Sequence, residues 1–253
     1  MAIFKFRDLS LGQRNKLLGE EIKMKRIYSF DDVERVSAEV LIAYLRRIGK
    51  GDVVPNCVDI DEFVTKYLKC NIVIDDIYQS NDCLGYISYG IKPLRVYRNG
   101  KICEVVFPAN TIILDRFLYN PGLDTKRRFT LAHEAGHFIL NRINDNPYAE
   151  ACYHENDGVH VRSKQELNNR FSPDETFANR FASALLLPAQ TVKKYIFFYF
   201  DSDKIPLDEH GKLNTFDLAT LRDIAKELNV SMTTFMIRLN ELKLYSIYKG
   251  NLS

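Results

Sequence analysis

The run His133-Glu134-Ala135-Gly136-His137 constrains this chain more than any other part of it. On a helix, residues four apart lie one above the other, so both imidazoles can reach a single metal ion. Glu134 then lies beside that axis, where it can take a proton from a water whose pKa zinc lowers toward 7. Random placement of the chain's residues gives roughly 0.005 such matches, so chance is a poor explanation. The competing reading is a helix with two structural histidines. The flanks weigh against it: Phe129, Ala132, His133, Gly136, His137 and Leu140 share one helical face, which turns both histidines inward. Gly136 costs a helix roughly 1 kcal/mol relative to alanine. That cost makes sense where another backbone must come close.

Two histidines and a water leave one protein ligand to find. A third histidine six residues on is excluded, because positions 140 and 143 are Leu140 and Ile143. Glu175, in Asp174-Glu175-Thr176-Phe177-Ala178-Asn179, is the candidate, and it has two readings. As part of Ser172-Pro173-Asp174-Glu175 it completes a capping box at a helix start. As a ligand it fills the open position, and that need favours zinc. Glu150, Glu155 and Glu166 are alternatives in a polar stretch that would position them poorly. Asn179, on the face of Glu175, is placed to orient a ligand histidine through its second ring nitrogen.

Around these motifs the chain alternates between helical and extended texture, an α+β pattern. A helix is expected from Ser29-Phe30-Asp31-Asp32 to the glycines at 49 and 51, and another over 60–68. Short β-branched and aromatic runs at 72–74, 86–89, 94–97, 102–107 and 111–114 predict a small, mostly antiparallel sheet. Asn99-Gly100 marks a type I′ hairpin between two of them. Asp124 is the expected N-cap of the histidine helix, and 143–171 reads as polar loop. Tyr195-Ile196-Phe197-Phe198-Tyr199-Phe200 reads as core, since exposed patches of that kind are uncommon on soluble monomers. The expected organisation is an N-terminal extension over 1–28, a catalytic domain over 29–200 and a small helical subdomain over 201–253.

Composition narrows the function classes. With 35 Lys+Arg against 33 Asp+Glu in 253 residues, the chain has no electrostatic case for nucleic acid or a membrane surface. No apolar run reaches membrane-spanning length, and the first residues lack the pattern of a secretory signal. Five cysteines, none in a CxxC pair, fit reduced thiols and a cytoplasmic protein better than a disulfide framework.

Arg128-Phe129-Thr130-Leu131-Ala132-His133-Glu134-Ala135-Gly136-His137, with Glu175 and Ala178-Asn179-Arg180-Phe181-Ala182-Ser183-Ala184-Leu185-Leu186-Leu187-Pro188, resembles the ImmA/IrrE family of metallopeptidases. The resemblance extends more loosely over about 30–245. It implies a zincin-like fold, a helix-flanked small sheet with the two active-site helices below it. It implies His133, His137 and Glu175 as Zn2+ ligands and Glu134 as general base. It also implies a protein substrate, typically a helix-turn-helix transcriptional repressor. One departure stands out: the position two after the ligand glutamate, often acidic in such proteins, is Phe177. One of Tyr153, His154 or His160, in the stretch between the two motif helices, could stabilise a tetrahedral oxyanion. Each reads otherwise as an ordinary loop residue.

Residues 223–242 have a helix-turn-helix cadence with Ser231 as N-cap of the second helix. Yet 211–253 holds six Lys/Arg against four Asp/Glu, a thin basis for phosphate contacts, so a packing role is expected rather than DNA binding. The leading expectation is a zinc endopeptidase acting on a protein regulator. The alternatives are a non-proteolytic sensor of metal or ligand, and a partner-binding scaffold of a toxin–antitoxin or phage-immunity pair.

Overall fold

Ser29 sets the start of the first helix. Its hydroxyl accepts from the Asp32 amide while the Asp32 carboxylate accepts from the Ser29 amide, a reciprocal cap. The computed structural model describes residues 28–78, 83–144, 152–154 and 173–247. From that cap α1 runs over Phe30–Arg47 and buries Val33, Val40, Leu41, Tyr44 and Leu45, apolar positions three, four and seven apart. Next comes α2, Ile60–Glu62, which continues as a π-helical segment over Phe63–Leu68 and buries Phe63, Val64 and Leu68.

Six strands follow before or between the motif helices: β1 (Asn71–Asp75), β2 (Cys83–Ser88), β3 (Leu94–Arg98), β4 (Lys101–Val105), β5 (Thr111–Asp115) and β6 (Cys152–His154). The main sheet has the order β1-β5-β2-β6. Two of its pairings, β2–β5 and β2–β6, are antiparallel, while β1 and β5 run parallel. The sheet is therefore mixed, with an antiparallel majority. β3 and β4 form a hairpin across Asn99 and Gly100, both at positive φ as a type I′ turn requires.

Alternation along the strands divides the core in two. Ile87, Ile112 and Leu114 face the helical side together with Leu131, Ala132 and Ala135. Tyr86 and Ile113 face the other way, against Leu94, Val96 and Phe107 around the hairpin. The helical face is covered by α3 (Asp124–Ile143). It starts without a side-chain cap: Leu123 holds the N-cap position, and Asp124 is the first helical residue. Asp124 instead accepts from Arg127 and from Asn229, so its charge serves the first turn and a long-range contact rather than the expected cap.

The second motif helix, α4 (Pro173–Leu186), packs on α3 and α1; α5 (Ala189–Phe200) follows after Pro188. The aromatic run at the end of α5 corrects the expectation of core. Tyr195 and Ile196 are buried, but Phe197, Phe198 and Tyr199 are exposed, because a 3.6-residue period cannot turn six consecutive residues inward. The tail contains β7 (Ile205–Leu207), α6 (Thr215–Glu227), α7 (Met232–Glu241) and β8 (Tyr245–Ile247), with β7 and β8 paired in parallel. Ser231 caps α7 as expected. Leu221, Ile224, Phe235 and Leu239 belong to the same buried cluster as the residues of α1 and α4.

One buried cation ties this tail to the beginning of the chain. Arg238 of α7 has no solvent exposure. It donates to the Leu187 carbonyl at 2.9 Å, just past α4, and through its other nitrogens to both carboxylate oxygens of Glu34 on α1. A buried guanidinium survives only with such a complete set of partners. Cys57, Cys70 and Cys103 are free thiols, whereas Cys83 is disulfide-bonded, which corrects the expectation of reduced cysteines throughout.

Candidate metal centre

α3 supplies both histidines and α4 the carboxylate. The rings of His133 and His137 meet edge to face on one side of the helix, with centroids 4.7 Å apart and planes at 74°. Their Nε2 atoms lie 2.9 Å from each other. Glu175 closes the triangle: Oε2 is 3.3 Å from His133 Nε2, and Oε1 is 3.2 Å from His137 Nε2. Zinc–nitrogen and zinc–oxygen bonds of about 2.0–2.2 Å in tetrahedral geometry place neighbouring donors roughly 3.3 Å apart. The three donors have nearly that spacing.

The hydrogen bonds behind the triangle set the charge and tautomer of its donors. Asn179, one turn after Glu175, presents Oδ1 to His133 Nδ1 at 3.0 Å. An amide oxygen only accepts, so Nδ1 carries the proton and Nε2 presents a lone pair. Burial pushes the His133 pKa down, against the opposing pull of Glu175 and Asn179, so the ring is neutral at physiological pH. Burial alone would raise the Glu175 carboxyl, but the two histidines beside it hold it well below the usual carboxylate range. A neutral ring nitrogen and an ionised carboxylate thus face each other across 3.3 Å. A cation among the three donors satisfies all of them at once, and the donor set is the one zinc prefers.

Close helix contact makes the triangle possible. A Cβ on Gly136 would lie 3.0 Å from the Ala178 Cα and 3.2 Å from its carbonyl oxygen, so a side chain there would force α4 away from α3. The sequence expectation of a close backbone approach at Gly136 is met, and the approaching backbone is that of α4, which carries Glu175. Arg128, also on α3, fixes the first turns of that helix by donating to the Asn229 and Val58 carbonyls. Glu134 is wholly buried, with its side chain against Gly85 of β2.

The other expected site residues divide by position. Phe177 is core, packed edge-on against Tyr28 and stacked on Phe181, so no second carboxylate is needed to explain that position. Ser172, the other half of the capping-box reading of Glu175, lies outside the described residues, as do His160, Glu150, Glu155 and Glu166. The backbone of Tyr153 and His154 is strand β6, paired with β2 at the sheet edge, where a polar loop was expected; their side chains lie outside the described ones. Among the described residues, the one cluster of three or more His, Cys, Asp or Glu able to hold a metal is His133, His137 and Glu175. No described helix is long and apolar enough to cross a membrane.

Residues 118–240 match the family model described as the IrrE N-terminal-like domain, Peptidase_M78. This stretch belongs to the ImmA/IrrE family. The match runs from just before α3 to the end of α7, so it takes in both helices of the candidate centre and the buried Arg238. The fold is the α+β arrangement of a zincin-like domain. An ImmA/IrrE assignment suggests a metallopeptidase-type activity and implies a metal. No curated protein matches the chain.

Proposed function

We propose that this chain is a zinc-dependent endopeptidase, with His133, His137 and Glu175 holding the ion and Glu134 acting as general base. The observation that carries the reading is the convergence of three donors at near-tetrahedral spacing, with Asn179 fixing the tautomer of one of them. Bound zinc would polarise a peptide carbonyl and make water acidic enough to lose a proton near pH 7. Glu134 takes that proton as the water attacks and passes it to the nitrogen of the breaking C–N bond, so the amine leaves neutral. Asn179 keeps the His133 ring turned toward the ion throughout. Burial of Glu134 and both histidines keeps bulk water from competing for these hydrogen bonds.

The substrate in this reading is a protein regulator, a helix-turn-helix repressor acting in the cytoplasm, and the tail from residue 201 is a packing subdomain on the catalytic domain. The only cation of α7 is Arg238, and it is committed to Glu34 and Leu187, which argues against that helix contacting phosphates. The test uses Glu134→Gln, which keeps the shape of the side chain and removes the base. Zinc content should stay at one ion per chain, while cleavage of the purified repressor encoded beside the gene is abolished. A Glu134→Gln protein that still cuts would end the mechanism. One that retains biological activity without any cleavage would favour a sensing or scaffold role instead.

A further inference from the structure

Strand β2 carries an irregularity on the side of Glu134. Its register against β6 pairs Cys83 with His154 and Gly85 with Tyr153, so two steps on β2 match one on β6 and Leu84 is an inserted residue. Side-chain direction changes accordingly. Ile87 faces α3 and Tyr86 faces the hairpin, as alternation requires, and Gly85 again faces α3. Leu84, which alternation would send to the hairpin side, stays in the core on the α3 side. The bulge therefore presents two consecutive positions to the helix, and the one opposite Glu134 is a glycine.

That glycine leaves a notch. A Cβ on Gly85 would lie 2.7 Å from Thr130 Cγ2, 2.9 Å from Glu134 Oε1 and 3.0 Å from Glu134 Cγ. Thr130 and Glu134 are four apart on α3, so they form one ridge that enters the notch. Gly85 is absent from the residues with positive φ, so its backbone would accept any side chain. What excludes one is space, and the space is occupied by the carboxylate assigned as the base.

Resting on the proposed function above, we infer that Gly85 and the bulge at Leu84 are the positioning device for Glu134. They set how far the carboxylate stands back under the sheet, and so whether it reaches the attacking water. The two neighbours of the notch respond differently to a methyl group. Thr130 is β-branched and stiff, so its contact has to be relieved by backbone movement. The Glu134 carboxylate is the far end of a flexible side chain and swings away. The second response costs little stability but displaces the base, and a misplacement of about 1 Å costs on the order of 100-fold in rate.

Thr130→Ser removes Cγ2 and retains the hydroxyl that donates to the Lys126 carbonyl at 3.0 Å. It is therefore the parent in which the nearest contact of Gly85→Ala is with Glu134. Thr130→Ser should fold, bind zinc and cleave a quenched fluorescent peptide substrate like the unaltered protein. Adding Gly85→Ala should leave zinc affinity and KM within about 2-fold of that parent and lower kcat by about 100-fold. A crystal structure of the zinc-loaded double variant should show the Glu134 carboxylate displaced while the His133, His137 and Glu175 donors stay in place. An undisplaced carboxylate, or an undiminished kcat at full zinc occupancy, overturns the inference. Equal activity of the unaltered protein and Glu134→Gln would instead overturn the proposed function. The crystallographic position of the carboxylate decides the positioning role in either case.

Discussion

Gly136→Ala sets two effects of opposite sign against each other. Alanine is the better helix former by about 1 kcal/mol, and Gly136 lies in the middle of α3, so propensity alone favours the change. Packing opposes it. The added Cβ would stand 3.0 Å from the Ala178 Cα, 3.2 Å from the Ala178 oxygen and 3.3 Å from Phe181 Cδ1. Carbon–carbon contacts are optimal at about 3.5–4.0 Å, so α3 and α4 have to separate by roughly half an ångström. Two of the three atoms are backbone and cannot rotate aside, which puts the overpacking cost at the upper end of its usual range of about 1–3 kcal/mol. The expected net effect is a loss of about 1–2 kcal/mol, read from a lowered urea midpoint at unchanged m-value. The same separation draws Glu175 from the histidines by more than the roughly 0.2 Å that zinc geometry tolerates. Zinc affinity, measured by competition with a chelator, should fall at least tenfold even in buffer where the protein is fully folded. A Gly136→Ala protein as stable as the parent, with unchanged zinc affinity, would show that the close helix contact does not set the ligand triangle.

Asn179→Ala should reduce zinc affinity by about 10- to 100-fold, the usual effect of removing the partner of a ligand histidine. Asn179 is itself exposed, so the unfolding midpoint should barely move, and an affinity equal to the parent's would refute its role. Asp75, at the end of β1, contributes to the pH dependence of stability. Burial would raise its carboxyl, but the Arg98 guanidinium and the Asp76 amide hold it below the usual carboxylate range. Its folded-state pKa lies below the unfolded value. The stabilisation is therefore complete above about pH 5 and lost as pH falls through the folded-state value. Asp75→Asn should lower stability at neutral pH and flatten the acid side of the stability profile; a curve merely displaced in parallel would contradict this.

The site was more legible in the sequence than the sheet was, and the reason is locality. His133 and His137 are related by a single helical turn, and Asn179 and Glu175 by another, so spacing alone places each pair. That the two helices meet could be suspected from Gly136. Strand order is different: β1 and β5 are neighbours although three strands separate them in sequence, and no local pattern encodes that pairing. β6 went unread because its residues lie within a polar stretch and owe their extended form to β2. The aromatic end of α5 misled because composition was weighed where period mattered. Gly85 was passed over because the strand was read as starting at Tyr86. An isolated glycine beside a β-rich run is a known sign of a bulge or of close backbone approach, so the signal was present.

Glu34 and Arg238 are 204 residues apart in the chain, and their pairing has a consequence for the order in which the molecule is made. While the ribosome is still adding α6, both histidines, Glu134 and Glu175 have already been synthesised. The Leu187 carbonyl at the end of α4 still lacks its donor, and Glu34 its cation. Closing a contact this distant costs loop entropy, which grows by about 0.6 kcal/mol for each doubling of loop length. α4 can already pack on α3 and α1 at that stage, and Arg238 of α7 then adds the donor that the Leu187 carbonyl lacks.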